Sequence, residues 1–113
     1  MRNVRPGPLP PLVAAVLLSS AVVAAAPTHR GATHTITVEN MAYSPASLVV
    51  HRGDRIVWVN KDLFAHTASA TNGSFDSGSI NASASWSRTA ARVGDFPYGC
   101  KFHPTMKGEL KVE

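Results

Sequence analysis

Three side chains near the C-terminus could together hold a soft metal ion. Cys100, His103 and Met106 are spaced three residues apart in the stretch "YGCKFHPTMKG", Tyr98 to Gly108, and Cys100 is the only cysteine of the 113-residue chain. A thiolate at the end of one strand, followed by an imidazole and a thioether on a short loop, can wrap around a single point before the next strand begins. Thiolate and thioether are soft donors that favour copper, and the thioether discriminates most because zinc sites seldom use it. A second imidazole would complete a plane of two histidines and one cysteine with a weak axial methionine. Taken singly these residues mean little: a lone cysteine is most often a small buried hydrophobe, and a lone methionine is core filler. Their combination in one loop carries the argument.

The second imidazole must come from elsewhere. His29 lies in an N-terminal lead-in, while His34 and His51 sit near strand ends and read as ordinary surface residues. His66, in "VNKDLFAHTA", follows a strongly apolar strand after a short turn, where it can approach the Cys100 loop. His66 is the best candidate.

The elements that would position these donors are short β-strands separated by turn signals. Thr33 to Asn40 alternates, with Ile36 and Val38 on one face and Thr35 and Thr37 on the other. Ala46 to Asp54 is β-rich and stops at the Gly53-Asp54 turn. Arg55 to Asn60, "RIVWVN", is nearly all β-branched or aromatic and reads as a strand buried on both sides. Ser83 to Thr89 alternates with Ala84 and Trp86 inward, Val93 to Cys100 is a turn and then a strand, and Gly108 to Glu113 places Leu110 and Val112 on one face. Between them, Thr67 to Ala82 reads as loop with short irregular strands, its core residues being Phe75 and Ile80. Asn-x-Ser sequons at Asn72 and Asn81 matter only where such sites are glycosylated. No helix of useful length and no internal repeat is expected. Seven or eight strands fit an all-β Greek-key sandwich of two packed sheets.

Ahead of the strands, Arg2 and Arg5 precede the apolar stretch Leu12 to Ala26, which ends in small residues. This is the pattern of a secretory signal peptide, too short in its core for a membrane span of about 20 residues. An uncleaved anchor is the alternative. The expected division is a signal peptide over 1–26 with cleavage around Ala24 to Ala26, a flexible lead-in over 27–32, and one domain over 33–113. No stable membrane insertion of the mature chain is expected. In an oxidising compartment a lone thiol is a liability unless buried, paired between chains or bound to metal, and a domain this small benefits from a metal staple. The formal charge of +4 includes Arg2 and Arg5. The remaining basic residues are scattered, which argues against nucleic acid as a partner.

From Ile36 to Glu113 the chain resembles a cupredoxin, and within that family the amicyanin and plastocyanin group. The residues carrying the resemblance are Pro45, "GDRIVWVN", His66, Phe75, Gly94, Phe96, the pattern Tyr98-x-Cys100-x-x-His103-x-x-Met106-x-Gly108, and Val112. The short gap between His103 and Met106 is the amicyanin spacing. The resemblance implies a cupredoxin-like Greek-key β-sandwich with one copper ion held by His66, Cys100, His103 and Met106. It implies that Asn60 ties the His66 segment to the ligand loop, that Pro104 stiffens that loop, and that His103 presents its outer edge as an electron port. Phe64, Pro104, Met41 and Pro97 would ring that edge. Lys101 and Phe102 depart from the family's small residues or proline between Cys100 and His103. Phe102 is expected to shield the thiolate, and Lys101 to add positive charge favouring reduced metal or an anionic partner.

Four protein donors leave no position for a substrate, so the expected role is a periplasmic, monomeric one-electron carrier rather than an enzyme. The resemblance suggests an amine dehydrogenase and a c-type cytochrome as partners. A copper-delivery protein and an accessory copper module of a larger redox assembly remain as alternatives. Delivery sites are usually Met-rich, whereas Met1, Met41 and Met106 are the only methionines here.

Overall fold

The computed structural model describes residues 2–22 and 31–113. The expected cleavage region, His29 and most of the lead-in lie outside these residues. Residues 2–22 form no helix or strand. Among the described residues no helix is long and apolar enough to cross a membrane.

The rest is eight strands: β1 (Thr33–Glu39), β2 (Ala42–Ser44), β3 (Ser47–Val50), β4 (Arg55–Asn60), β5 (Ser69–Ala70), β6 (Ser85–Thr89), β7 (Gly94–Gly99) and β8 (Lys107–Val112). They form two four-stranded sheets, ordered β2-β1-β4-β6 and β3-β8-β7-β5. Each sheet is mixed, with β1 parallel to β4 and β3 parallel to β8. The all-β sandwich expected from the alternating runs is the fold found.

Alternation decides what faces inward, because successive strand side chains point to opposite faces. Ile36 and Val38 of β1 are fully buried, as are Ile56 and Trp58 of β4; the second sheet contributes Val50, Tyr98, Leu110 and Val112. Trp58 is the centre of this core. Its ring lies 5.3 Å from that of Trp86, its register partner on β6, and 5.7 Å edge-on from Tyr98 of the opposite sheet. β4 differs from expectation in one respect: its inward face is fully buried, whereas Val57 and Val59 are only half covered. β4 is interior in its sheet, and that outer face stays partly open to solvent.

β2 has no counterpart in the sequence reading. It pairs with β1 across a tight two-residue turn in which Asn40 and Met41 both have positive φ, 54° and 60°. A left-handed pair of this kind matches the twist of a hairpin, and Asn tolerates it better than Met. The Asp62 carboxylate accepts the N–H groups of both residues, at 2.7 and 3.0 Å, and so holds the turn.

His34 is not the plain surface residue expected. Its Nε2 lies 2.9 Å from Asp54 Oδ2, and Asp54, almost wholly buried, also accepts the N–H groups of Ala32 and His51. A buried carboxylate needs such donors to offset its lost hydration. Asp54 thereby ties the start of β1 to the turn before β4.

Close packing at the ligand end of β8 is equally specific. A Cβ at Gly108 would meet the buried Tyr98 ring, with Cε1 at 2.7 Å. Replacing Gly108 by Ala is therefore expected to cost about 1–3 kcal/mol of stability through overpacking, read as a lower denaturation midpoint. An unchanged midpoint would contradict this account of the contact.

Candidate metal centre

β4 delivers the chain to the site and Asn60 turns it. The Asn60 side-chain amide donates to Phe64 O at 2.7 Å and Ile80 O at 2.9 Å, while its Oδ1 accepts from Asp62 N at 3.0 Å. This closes the 61–65 loop and pins it to the segment around Ile80. The expected tie from Asn60 to the ligand loop is thus corrected: Asn60 organises the approach to His66 and bonds the Ile80 segment instead.

His66 is locked from two sides. Its backbone exchanges hydrogen bonds with Ile80 in both directions, at 3.1 and 2.7 Å. Its ring is 0% exposed, and Nε2 lies 2.8 Å from Asp62 Oδ2. With Asp62 ionised, Nε2 keeps its proton against the carboxylate, and Nδ1 is the nitrogen that faces inward and would bind a metal. The Asp62 carboxyl sits below its usual range, chiefly through the Met41 N–H, with His66 and the Asn40 N–H adding to it.

The tie to the ligand loop is made by Thr67, which sequence reasoning passed over. Its N–H points at Cys100 Sγ at 3.3 Å, its Oγ1 accepts Lys101 N–H at 2.9 Å, and its carbonyl accepts the Tyr43 hydroxyl at 2.5 Å. The available signal was position alone: a hydroxyl residue directly after the candidate histidine.

Cys100 follows β7 and is 5% exposed; Met106, just before β8, is 2% exposed. Met106 is bonded through its backbone to both other loop donors, Cys100 N–H to Met106 O and Met106 N–H to His103 O. His66 Nδ1 lies 3.2 Å from His103 Nδ1 and 3.9 Å from Cys100 Sγ, and His103 Nδ1 lies 3.6 Å from that sulfur. One donor atom from each of these three residues therefore falls within 4.8 Å of the other two. Burial alone would raise the Cys100 thiol. Hydrogen bonds from the Thr67 N–H, the two histidines and the Phe102 N–H outweigh it and bring the thiol down to about 6. Two imidazoles, a readily ionised thiol and a buried thioether are the donor set that suits copper, so His66, Cys100, His103 and Met106 make a candidate copper site.

The surroundings correct two expectations. The Lys101 ammonium pairs with the Asp76 carboxylate, so it does not stand as an uncompensated charge beside the site. This pairing is the main reason the Asp76 carboxyl falls to about 2. Phe102 is 54% exposed, whereas Cys100 is 5% exposed, and the groups bonded to the sulfur are the Thr67 N–H, the two histidines and the Phe102 N–H. Phe64 is 64% exposed, and Met41 and Leu63 are exposed too. Pro104 is exposed on the loop, and Pro97 lies within β7.

A family model of the cupredoxin-like domain matches residues 11–112. The chain belongs to the cupredoxin-like family. Amicyanin of Paracoccus denitrificans is 27% identical over 83 residues, 69% of this chain, and amicyanin of Paracoccus versutus is 26% identical over the same length. The chain spans 63% of the length of these relatives. Among solved structures, a Cu(I) amicyanin variant superposes with a TM-score of 0.68 at 23% identity, covering 72% of this chain and 82% of that one. A copper-containing nitrite reductase from Thermus scotoductus SA-01 matches with the same score at 22% identity, over 72% of this chain but 22% of the enzyme. A purple cupredoxin from Nitrosopumilus maritimus matches with a TM-score of 0.64 at 24% identity, over 71% of this chain and 99% of its own. These likenesses under a quarter identity bear on the fold.

In the metal-free chain the Cys100 thiol should titrate with a midpoint near 6. Because this folded value is depressed, its stabilising contribution is complete above the ordinary thiol value of 9.0 and is lost as pH falls through about 6. Ultraviolet thiolate absorbance against pH checks the midpoint, and denaturant unfolding at either end of the window checks the sign. An ordinary thiol midpoint would show that the converging donors do not act on the sulfur.

Proposed function

We propose that this protein is a one-electron carrier built on a type 1 copper centre, with His66, Cys100, His103 and Met106 as ligands. The observation that carries the reading is the convergence of two Nδ1 atoms and one thiol within 4.8 Å, with a buried methionine on the same loop. Bound copper supplies a one-electron couple between Cu(I) and Cu(II), which soft sulfur donors and imidazoles together tolerate. The protein's part is to hold its donors still. Asp62 fixes the His66 tautomer, Thr67 holds Cys100, and β7 and β8 fix both ends of the ligand loop. Donors already in position need little rearrangement when the charge at the centre changes.

Four protein ligands also close the shell, whereas catalytic metal sites keep a position open. This supports a carrier over an enzyme. Electrons would pass through the outer edge of the half-buried His103 ring. The exposed Phe64, Leu63, Phe102, Met41 and Pro104 would then serve as an apolar docking surface suited to brief contact. Because Lys101 is paired with Asp76, docking should depend more on this apolar rim than on local charge.

The wider setting is part of the same proposal. Residues 1–26 act as a signal peptide, 33–113 is the carrier domain, and the mature monomer works in the periplasm between redox proteins. The amicyanin resemblance favours an amine dehydrogenase as electron donor and a c-type cytochrome as acceptor.

Titrating the metal-free chain with Cu(II) tests the centre. An intense thiolate-to-copper visible band with a narrow copper hyperfine splitting is expected, lost in Cys100→Ala and in His66→Ala. A pale, tetragonal spectrum indifferent to Cys100→Ala would sink the reading.

A further inference from the structure

A cavity of about 240 Å³ opens on the flank of the sandwich and takes no part in the metal centre. Phe75, Phe96, Leu110 and Val112 give it an apolar lining, to which Arg88 and Arg92 add two guanidinium groups. Phe96 lies in β7 four residues before Cys100, about 13 Å of extended strand from the thiol.

Arg88 is placed unusually for a surface arginine. It is half-buried, with its guanidinium carbon 4.8 Å from the centre of the Phe75 ring. A guanidinium has five N–H donors. Among the described residues Arg88 makes one hydrogen bond, a long one of 3.4 Å to Ser74 O, and no carboxylate pairs with it. Loss of hydration lowers its affinity for a proton, in keeping with a cation held against apolar walls. Arg92 is exposed and lines both this cavity and an adjoining groove, in which Arg52 and Asp95 also take part. Asp95 does not line the cavity itself.

Arginine recognises carboxylates through paired N–H groups, and a low-dielectric wall strengthens each bond. Pockets for drug-sized molecules start at about 300 Å³, so this one is fitted to something smaller. We propose that the cavity binds a small organic carboxylate with an apolar body. Its carboxylate is held by Arg88 and Arg92, and its ring or short hydrocarbon part packs against Phe75 and Phe96. The site is independent of the metal and stands whether or not the copper reading does.

The test is an NMR titration of the full, metal-free, ¹⁵N-labelled chain with benzoate, using acetate and benzyl alcohol as the charge-only and body-only controls. Benzoate should give saturable shifts at Phe75, Arg88 and Phe96. Benzyl alcohol should bind at least about tenfold more weakly, the size of one charge-assisted hydrogen bond, and acetate at least about tenfold more weakly for want of apolar burial. Arg88→Gln should weaken benzoate by about tenfold or more, and Arg88→Lys, which keeps the charge but loses the fork, by less. Arg92→Gln changes an exposed residue, so it reports on the site even where Arg88→Gln fails to fold. Absence of saturable shifts, equal affinity for benzyl alcohol, or benzoate binding unchanged in Arg92→Gln and in any folded Arg88→Gln would overturn the proposal.

Discussion

A buried threonine holds the ligand end of this molecule together. Thr67 uses its N–H, its hydroxyl and its carbonyl on, among others, the thiol of Cys100, the backbone of the ligand loop at Lys101, and the hydroxyl of Tyr43. Those partners belong to β2 of one sheet and to the loop leaving β7 of the other. Buried polar groups must find partners or cost about 1–3 kcal/mol each, so each bond also fixes where its neighbour can sit. His66 precedes Thr67 directly. Any displacement of the ligand loop relative to His66 would therefore have to break these bonds.

A second constraint works from the side of the histidine. Asp62 accepts from both N–H groups of the strained Asn40-Met41 turn and also faces His66 Nε2. One carboxylate thus stabilises a left-handed backbone pair and selects the tautomer of a ligand. The β1–β2 hairpin is consequently part of the support of the site, although neither strand carries a ligand. The same logic appears at the far end, where buried Asp54 gathers Ala32, His34 and His51.

Much of this was legible in the sequence, and what was not has a physical reason. Period-two alternation gave β1 and β8 their inward residues, Ile36, Val38, Leu110 and Val112, because an alternating run has one low-energy way to face a core. Cys100, His103 and Met106 stood out because a thiol, an imidazole and a thioether at close spacing are chemically distinctive, and His66 was singled out by its place after an apolar strand. β2 was missed since a three-residue strand is too short for periodicity to register. Thr67, the Asp62–His66 contact and the Lys101–Asp76 pair were missed because each joins segments whose meeting depends on tertiary closure. The role expected of Asn60 failed for the same reason. Its amide reaches whichever carbonyls the turn brings near, and these belong to Phe64 and Ile80.

The two imidazoles of the centre are held unequally, and this shapes what the site can exchange with its surroundings. His66 is enclosed, its outer nitrogen committed to Asp62 and its backbone paired with Ile80. His103 sits on the loop between Cys100 and Met106, half-buried, and among the described residues its Nε2 has no hydrogen-bond partner. A proton, a water molecule or a docking protein can therefore reach His103 and cannot reach His66 without opening the 61–65 loop. Phe64, Leu63 and Phe102, on the His66 and Cys100 loops, are also exposed. The rigid side of the centre lies against the sandwich and its accessible side is the loop, so support and solvent access are divided between the two histidines.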